Sequence, residues 1–407
     1  MNCRHCGAPL QHTFLDLGFA PPSNAYLTVE DLSRPEVYYP LKVKVCDQCW
    51  LVQTEDYAKA GDLFCPDYAY FSSTSSSWLG HAARYAATMR EMLGLDSSSF
   101  VVEVASNDGY LLRNFVAAGV PCLGIEPTES TAAAAEKFGI PVLREFFGEA
   151  LGQRLSAEGK KADLVVGNNV LAHVPDINDF VRGLKTVLKP CGIITLEFPH
   201  LMRLVEHTLF DTVYHEHFSY LSLYTVSRIF ESVGLRVWNV EELSTHGGSL
   251  RVYGCHADDS RISQPSVAAL LHDEASHGLQ RLESYLDFQS RANKIKDDIL
   301  TFLINQKCAG KKVVGYGAAA KGNTLLNYAG VKPDLLPFVC DAAESKQGKF
   351  MPGSHIPILD PEAMVAAQPD FVLILPWNIV EEVQKQNSAL KERGAQFVTA
   401  LPALVIL

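Results

Sequence analysis

The sequence predicts an α/β protein of three units: a small cysteine-rich N-terminal module followed by two Rossmann-like parallel-sheet units. Three observations predict this. Two CxxC pairs, Cys3-Arg-His-Cys6 and Cys46-Asp-Gln-Cys49, lie in a stretch with several prolines and short β-like runs. From Trp78 onward, short apolar strand runs alternate with helical ones, the pattern of a parallel sheet covered by helices. The alternation pauses over residues 265–307 and then resumes. A length of 407 residues fits about two to three domains. The boundaries are placed at 1–75, 76–265 and 266–407, with 266–307 as bridging helices.

Composition narrows the function classes. A hydrophobic fraction of 47% and a charged fraction of 20% supply real cores and exclude a disordered chain. Lys and Arg total 35 against 46 Asp and Glu, a net charge of −11 without basic blocks. Nucleic-acid binding wants a clustered positive footprint and is not expected. The opening Met1-Asn2-Cys3-Arg4-His5-Cys6 has no apolar leader, and no apolar run approaches the ~18 residues of a membrane span. A soluble cytoplasmic protein is expected, and in that reducing compartment the ten cysteines are ligands, nucleophiles or packing rather than disulfides.

In the N-terminal module, each CxxC knuckle offers two thiolates on one tight turn. Together Cys3, Cys6, Cys46 and Cys49 make the tetrahedral S4 set that Zn²⁺ prefers. Four sulfurs leave no position for water, so the expected zinc is structural and folds a module too small to bury enough surface alone. His5 and His12 lie nearby but are superfluous to a filled S4 set. Leu41–Val45 reads as a strand, and the run Ser72–Ser77 marks an edge: a linker, a helix N-cap or a functional loop.

The second unit begins with the strand Phe100–Val104 and the helix Tyr110–Ala118. The strand Val120–Glu126, the helix Ser130–Phe138 and the strands Ala162–Gly167 and Gly192–Glu197 follow. The loop Glu103-Val-Ala-Ser106-Asn107-Asp108-Gly109 joins strand to helix, where backbone N–H groups and a helix N-terminus approach a ligand. Glu126 ends the next strand, where a carboxylate can take both ribose hydroxyls. Dinucleotide and S-adenosylmethionine sites share this logic. The loop is not GxGxxG, and its acidic residues suit a cationic sulfonium or ammonium better than a pyrophosphate. Asn168, Asn169 and His173 follow the strand Ala162–Gly167, at the carboxyl end where an open α/β sheet holds its ligand. Leu188-Lys-Pro-Cys-Gly-Ile-Ile reads as a helix-turn-strand entry.

Tyr214-His215-Glu216-His217 concentrates titratable and aromatic groups. An imidazole accepts a carbon-bound proton near neutral pH. A phenol can polarise a carbonyl or act as base, and Glu216 can orient a ring or bind a hydroxyl. In a strand His215 and His217 would share a face, and neither spacing matches a HExxH zinc site.

The third unit reads as the strands Lys312–Gly315, Leu336–Asp341, Phe371–Leu375 and Gln396–Ala400. Gly315-x-Gly317-x-x-Ala320 fits a dinucleotide fingerprint, and Asp341 stands where a ribose acceptor belongs, so NAD is a candidate here. Lys321 adds positive charge, and a nucleoside diphosphate would use the same donors. Lys346-Gln-Gly lies further along, and Thr245-His246-Gly-Gly-Ser-Leu-Arg251 offers another anion clamp, since Arg binds phosphate bidentately.

The cysteine quartet, the Glu103–Gly109 loop, Tyr214-His-Glu-His-Phe, Thr245-His-Gly-Gly-Ser-Leu-Arg, Gly315-Tyr-Gly-Ala-Ala-Ala-Lys and Trp377-Asn378 together resemble the sugar 3-C-methyltransferases, in order and over almost the whole chain. The resemblance implies a zinc-binding N-terminal domain, a central class I S-adenosylmethionine-dependent methyltransferase domain and a C-terminal Rossmann-like domain that binds the nucleotide sugar. It implies methylation at C3 of a dTDP-4-keto-6-deoxy sugar in deoxysugar biosynthesis. His217 and Tyr214 correspond to the catalytic pair, with Glu216, Asn169 and His173 beside them. Tyr70, or Tyr68 two residues earlier, would close over the methionyl moiety. Ser106, Asn107, Asp108, Gly109, Glu103, Glu126 and Asn168 would hold the cofactor. His246, Arg251, Gly317, Lys321, Asp341, Lys346, Trp377 and Asn378 would hold the sugar nucleotide, with Lys321 and Arg251 on the phosphates. Ala105 departs from the pattern, since a glycine often stands there. Two readings compete: an NAD-dependent nucleotide-sugar oxidoreductase or epimerase using the Gly315 loop, and a non-enzymatic nucleotide-binding scaffold. No coiled-coil seam calls for a partner chain, and a monomer is expected.

Overall fold

The computed structural model describes residues 1–57 and 71–407, and its strands fall into three sheets. Tyr68, Tyr70 and Cys65 lie outside the described residues. In the first sheet β1 (His12–Ala20), β2 (Tyr39–Val45) and β3 (Val52–Thr54) form an antiparallel meander. Alternation explains β2: Leu41, Val43 and Val45 are buried while Lys42 and Lys44 point outward to Asp16 and Glu55.

The central sheet opens with β4 (Val101–Val104), β5 (Cys122–Ile125), β6 (Val142–Leu143), β7 (Ala162–Asn168) and β8 (Leu188–Pro199), all parallel. The chain then leaves this sheet. β9 (Ser219–Tyr220) pairs antiparallel with β3, Val52 opposite Tyr220 and Gln53 opposite Ser219. It returns as the antiparallel hairpin β10 (Leu235–Leu243) and β11 (Ser249–His256), which docks on β8. The spatial order is β10-β11-β8-β7-β4-β5-β6. Strand order reverses at β4, so the ligand crevice of such a sheet lies beyond the carboxyl ends of β4 and β7.

The third sheet holds β12 (Val313–Tyr316), β13 (Val339–Cys340), β14 (Ile358–Leu359), β15 (Phe371–Ile374), β16 (Gln396–Thr399) and β17 (Val405–Ile406), in the order β14-β13-β12-β15-β16-β17. Only β17 is antiparallel. One apolar core runs through all three sheets. Phe14 of β1, for example, packs 4.4 Å from the Phe288 ring and 5.6 Å from Tyr285.

The helices follow local chemistry. Ser75 caps the Ser76–Leu93 helix by accepting from the Trp78 N–H, so the serine run ends in an N-cap. Gly94 ends that helix at φ 61°, a left-handed position suited to glycine. The stretch expected as bridging helices is three segments, Pro265–Ser276, Glu283–Leu286 and Phe288–Cys308, broken where Gly278 turns at φ 80°. Leu188 begins a twelve-residue strand rather than a turn. The 214–217 segment is a turn and not a strand, closed by the His217 N–H donating to the Tyr214 carbonyl.

One buried group fastens the bridging helices to the central sheet. Glu274 accepts from the Leu223 and Tyr224 N–H groups at 2.6 and 2.9 Å, capping the Leu223–Ser232 helix, and lies 2.7 Å from His200 Nε2. Glu274→Leu would strand three donors in an apolar setting. It is expected to lower unfolding free energy by at least about 3 kcal/mol in urea titration, with Glu274→Gln less severe.

Candidate active site

The metal centre is the simplest part. The sulfurs of Cys3, Cys6, Cys46 and Cys49 all lie within 4.8 Å of one another, with Cys3–Cys49 at 3.5 Å and Cys6–Cys46 at 3.6 Å. A tetrahedral zinc with bonds of about 2.3 Å separates its sulfurs by roughly 3.8 Å, so the quartet fits the ion. The Gln53 amide donates to Cys3 Sγ at 3.2 Å and the Gln48 N–H to Cys46 Sγ, both favouring thiolates. His5 bonds to Asn178 and His12 to Asp47, outside the sulfur set.

The first glycine loop sits where expected, after β4. Gly109 has φ 77°, and a Cβ there would meet Ile140 at 2.5 Å, so only glycine fits. Ala105 and Asn107 also take left-handed conformations, at φ 57° and 49°. Glu126 accepts from the Asn107 N–H at 2.9 Å and the Thr128 N–H at 3.0 Å, bracing the loop. The Asn107 and Asp108 side chains accept from the Ser72 and Ser73 N–H groups, so both tie down the entry to the Ser76–Leu93 helix. Glu103 is buried, and neither oxygen meets a partner in hydrogen-bond geometry. Burial, with the charges of Asp108 and Glu126, pushes its carboxyl well above the ordinary range, and the Tyr110 hydroxyl opposes the shift. Ser106 Oγ, Asp108 Oδ1 and Asn168 Oδ1 are buried and unsatisfied as well. The unsatisfied Asp108 and Asn168 oxygens would accept from a ligand's donors, and a positive charge placed here would offset the burial that pushes Glu103 up.

Beyond the carboxyl ends of β7 and β8 lies a cluster of imidazoles. The ring centroid of His217 is 4.0 Å from that of Tyr214 and 4.6 Å from that of His173. His217 Nδ1 donates to the Thr212 carbonyl at 2.8 Å, which leaves Nε2 as the nitrogen with the lone pair. Burial and the nearby His173 hold His217 well below the usual imidazole range, and burial brings His173 and His246 down to about 4. All three rings are neutral at physiological pH. The Asn169 amide donates to His246 Nε2 at 3.3 Å, and both residues adopt left-handed φ, 53° and 54°. Glu216 is gripped by the Asn24 amide at 2.8 Å to each oxygen. His215 lies apart, 3.3 Å from the Tyr39 carbonyl.

The C-terminal unit reaches the same cluster. Trp377 Nε1 donates to Asp211 at 2.7 Å, and Lys321 Nζ lies 4.7 Å over the Trp377 ring and 3.2 Å from Asn378. A Cβ on Gly247, next to His246, would strike Trp377 at 2.3 Å. Thus His217, His246, Lys321, Trp377 and Asn378 are brought together.

Other expected substrate residues are not. Arg251 is 2.7 Å from Glu197 and 3.2 Å from Glu241, stacked over Tyr85, its side chain 8% exposed. It is the counter-ion of a buried carboxylate on the neighbouring strand β8 and does not join Lys321 in an anion clamp. The second glycine loop is also filled from within. Gly317 N–H bonds to the Cys340 carbonyl, Ala318 N–H to Asp341 at 2.7 Å and Ala319 N–H to the Gly317 carbonyl. The Ala318 carbonyl accepts from the Tyr26 hydroxyl and from Lys346. Gly317, Asp341 and Lys346 therefore brace the loop itself, and the amides of Gly317, Ala318 and Ala319 are taken.

Sequence reasoning missed His81 and Glu197. Glu197 lies 2.9 Å from His81 Nε2 and accepts from Thr245 Oγ1 at 3.1 Å, anchoring the His246 turn to β8. Burial would raise its pKa, but His81 and Arg251 outweigh it and hold Glu197 charged.

Comparison with known proteins decides the family. The chain is 34% identical over 401 residues to the C-methyltransferase NovU of Streptomyces niveus, covering 98% of this chain and 95% of that one. This chain belongs to the C-methyltransferases. Residues 244–402 match the family model for a C-methyltransferase C-terminal domain, residues 78–240 that for a methyltransferase domain and residues 3–64 that for a zinc binding domain. An uncharacterized methyltransferase of Mycobacterium leprae is 30% identical over 98 residues, 24% of this chain and 36% of that one. Among solved structures, magnesium protoporphyrin IX methyltransferase from Synechocystis PCC 6803 with bound SAM is 15% identical, with a TM-score of 0.33, covering 44% of this chain and 81% of that one.

As a C-methyltransferase the chain uses S-adenosylmethionine and carries zinc in its cysteine quartet. The NAD reading of the second loop falls with this assignment. No helix among the described residues is long and apolar enough to cross a membrane. The zinc has a structural consequence: Gln53 touches Cys3 and belongs to β3, which carries β9. Metal analysis of the purified protein is expected to give about one zinc per chain, lost in Cys46→Ser. Chelation is expected to speed hydrogen exchange at Val52–Thr54 and Phe218–Tyr220 ahead of the central sheet.

Proposed function

We propose that the protein methylates C3 of a dTDP-4-keto-6-deoxy sugar, with His217 as the base that removes the C3 proton. The tautomer of His217 carries this reading: its Nδ1–H is committed to Thr212, so Nε2 is the proton acceptor. The 4-keto group acidifies the neighbouring C–H, and a neutral buried imidazole is a competent base at pH 7. Tyr214, in ring contact with His217, shares the proton or polarises the ketone. His173, Asn169 and the Asn24-held Glu216 complete the catalytic set and orient the sugar.

The resemblance to sugar 3-C-methyltransferases supports the substrate class. S-adenosylmethionine, when bound, supplies an electrophilic methyl group for the carbon that has lost its proton. Glu103, Ser106, Asn107, Asp108, Gly109, Glu126 and Asn168 would hold it, Glu103 by meeting positive charge with a buried carboxylate. The units would divide at residues 1–75, 76–265 and 266–407, with the nucleotide sugar bound by the last.

Two measurements test this. His217→Asn is expected to keep S-adenosylmethionine affinity and lose about 10²- to 10⁴-fold in turnover of labelled methyl donor with a dTDP-4-keto-6-deoxy sugar. Near wild-type turnover would remove His217 from the role. The base must be neutral, so activity falls as pH drops through its pKa. Since that pKa is depressed, the acid limb of kcat/KM is expected below the ordinary histidine value of 6.5. A limb at or above that value would count against His217.

A further inference from the structure

The Gly317, Ala318 and Ala319 amides are bonded within the second glycine loop, and the contacts of the Lys321 side chain run instead toward the segment that carries His217. Lys321 is the second residue of the Ala320–Ala329 helix. One turn later Thr324 donates to the Val213 carbonyl at 2.8 Å, docking this helix directly on the Asp211–Tyr214 segment that leads to the base. Trp377 braces the Lys321 side chain from one side, Asn378 accepts from its ammonium, and the Trp377 indole is itself fixed by Asp211. The ammonium is close enough to act electrostatically on three groups, His217, His246 and Asp211. One Asp211 oxygen is buried without a hydrogen bond.

We propose that the Lys321 ammonium is the counter-charge for the enolate oxygen formed when His217 takes the proton beside the ketone, and not a diphosphate partner. The assignment rests on the function proposed above. In the step concerned, the C3–H bond breaks, the proton goes to His217 Nε2, and the electron pair delocalises onto the 4-keto oxygen. One negative charge appears beside the base, where one partly desolvated cation is already fixed. Pre-set charge of this kind acts mainly on the transition state. A diphosphate would instead bring its charges against Asp211 in the ground state. Burial raises Asp211 to about 6, and Lys321 is among the groups that oppose that rise. Asp211 in turn opposes the fall that desolvation imposes on Lys321, helping to keep it protonated.

The test uses the full chain with dTDP-4-keto-6-deoxy-D-glucose and S-adenosylhomocysteine in D2O, following deuterium entry at C3 by NMR, with sugar-nucleotide affinity from calorimetry. Lys321→Met is expected to slow exchange at saturating substrate by about 10²- to 10³-fold while affinity changes by no more than about threefold. Lys321→Arg is expected to recover part of the rate. Because Lys321→Met leaves Asp211 without its cation, the double variant Lys321→Met/Asp211→Asn repeats the measurement in a neutral background. Wild-type exchange at saturation with weakened binding in both variants would overturn the assignment and return Lys321 to the phosphates. Absence of exchange in the wild-type protein would instead overturn the enolate reading on which the assignment rests.

Discussion

The short ladder between β3 and β9 governs the active site. It involves Val52 and Gln53 on one side and Tyr220 and Ser219 on the other. Yet it joins the zinc quartet to the segment that carries His217. Gln53 bonds to Cys3 Sγ and accepts from the Arg4 N–H. Thr54, next along β3, donates through its N–H to Phe218 and through its hydroxyl to the His217 carbonyl. From the other side the Phe218 N–H bonds to the Ala172 carbonyl, beside His173. His217 thus lies between the first sheet and the turn after β7, and its backbone is held on both flanks. A metal site with no open coordination position is thus tied by hydrogen bonds to the segment that carries His217.

Burial does most of the electrostatic tuning. Three imidazoles near one another would repel if protonated, and desolvation keeps them neutral instead. Two charged groups near the cluster have defined counter-ions: Glu197 with Arg251, and Lys321 beside Asp211. Removing one member of such a pair leaves the other stranded in low dielectric, which costs more than the pair itself contributes. Arg251 is therefore needed where it is, although it touches nothing that reacts. Its carboxylate partner also fixes Thr245 and, through the Glu197 carbonyl, the Asn169 N–H at 2.7 Å. The two strained residues that face each other, Asn169 and His246, are thus anchored at the same strand end.

What the sequence revealed and what it hid divide along contact range. The cysteine quartet was legible because metal ligation dictates spacing within each knuckle. The Glu103–Gly109 loop and the Tyr214–His217 cluster were legible because their residue types are chemically unusual where they stand. The serine run 72–77 left a linker, a helix N-cap and a functional loop open, and Ser75 is the cap. Partners separated by many residues were not legible. Arg251 looked like a phosphate ligand because nothing in its own segment reveals Glu197, 54 residues away. Gly315-x-Gly317-x-x-Ala320 looked like a dinucleotide loop because its internal hydrogen bonds to Cys340, Asp341 and Tyr26 leave no trace in the motif. The β10–β11 hairpin did leave a trace, the alternation in Leu235-Arg-Val and Leu250-Arg-Val, but β9 is two residues long and has none.

The strap from Ser23 to Glu36 sets an order for assembly during synthesis. Asn24 waits for Glu216, Tyr26 for the Ala318 carbonyl, and Glu36 for Gly353 and His355, partners up to 319 residues further along the chain. A ribosome delivers the cysteine quartet early, so zinc can close its knuckles while the strap still has nothing to hold. Glu216 emerges first, and the contacts to Ala318, Gly353 and His355 form only once the C-terminal sheet has followed. The cysteine quartet is therefore complete in the nascent chain well before the strap is fastened to its distant partners.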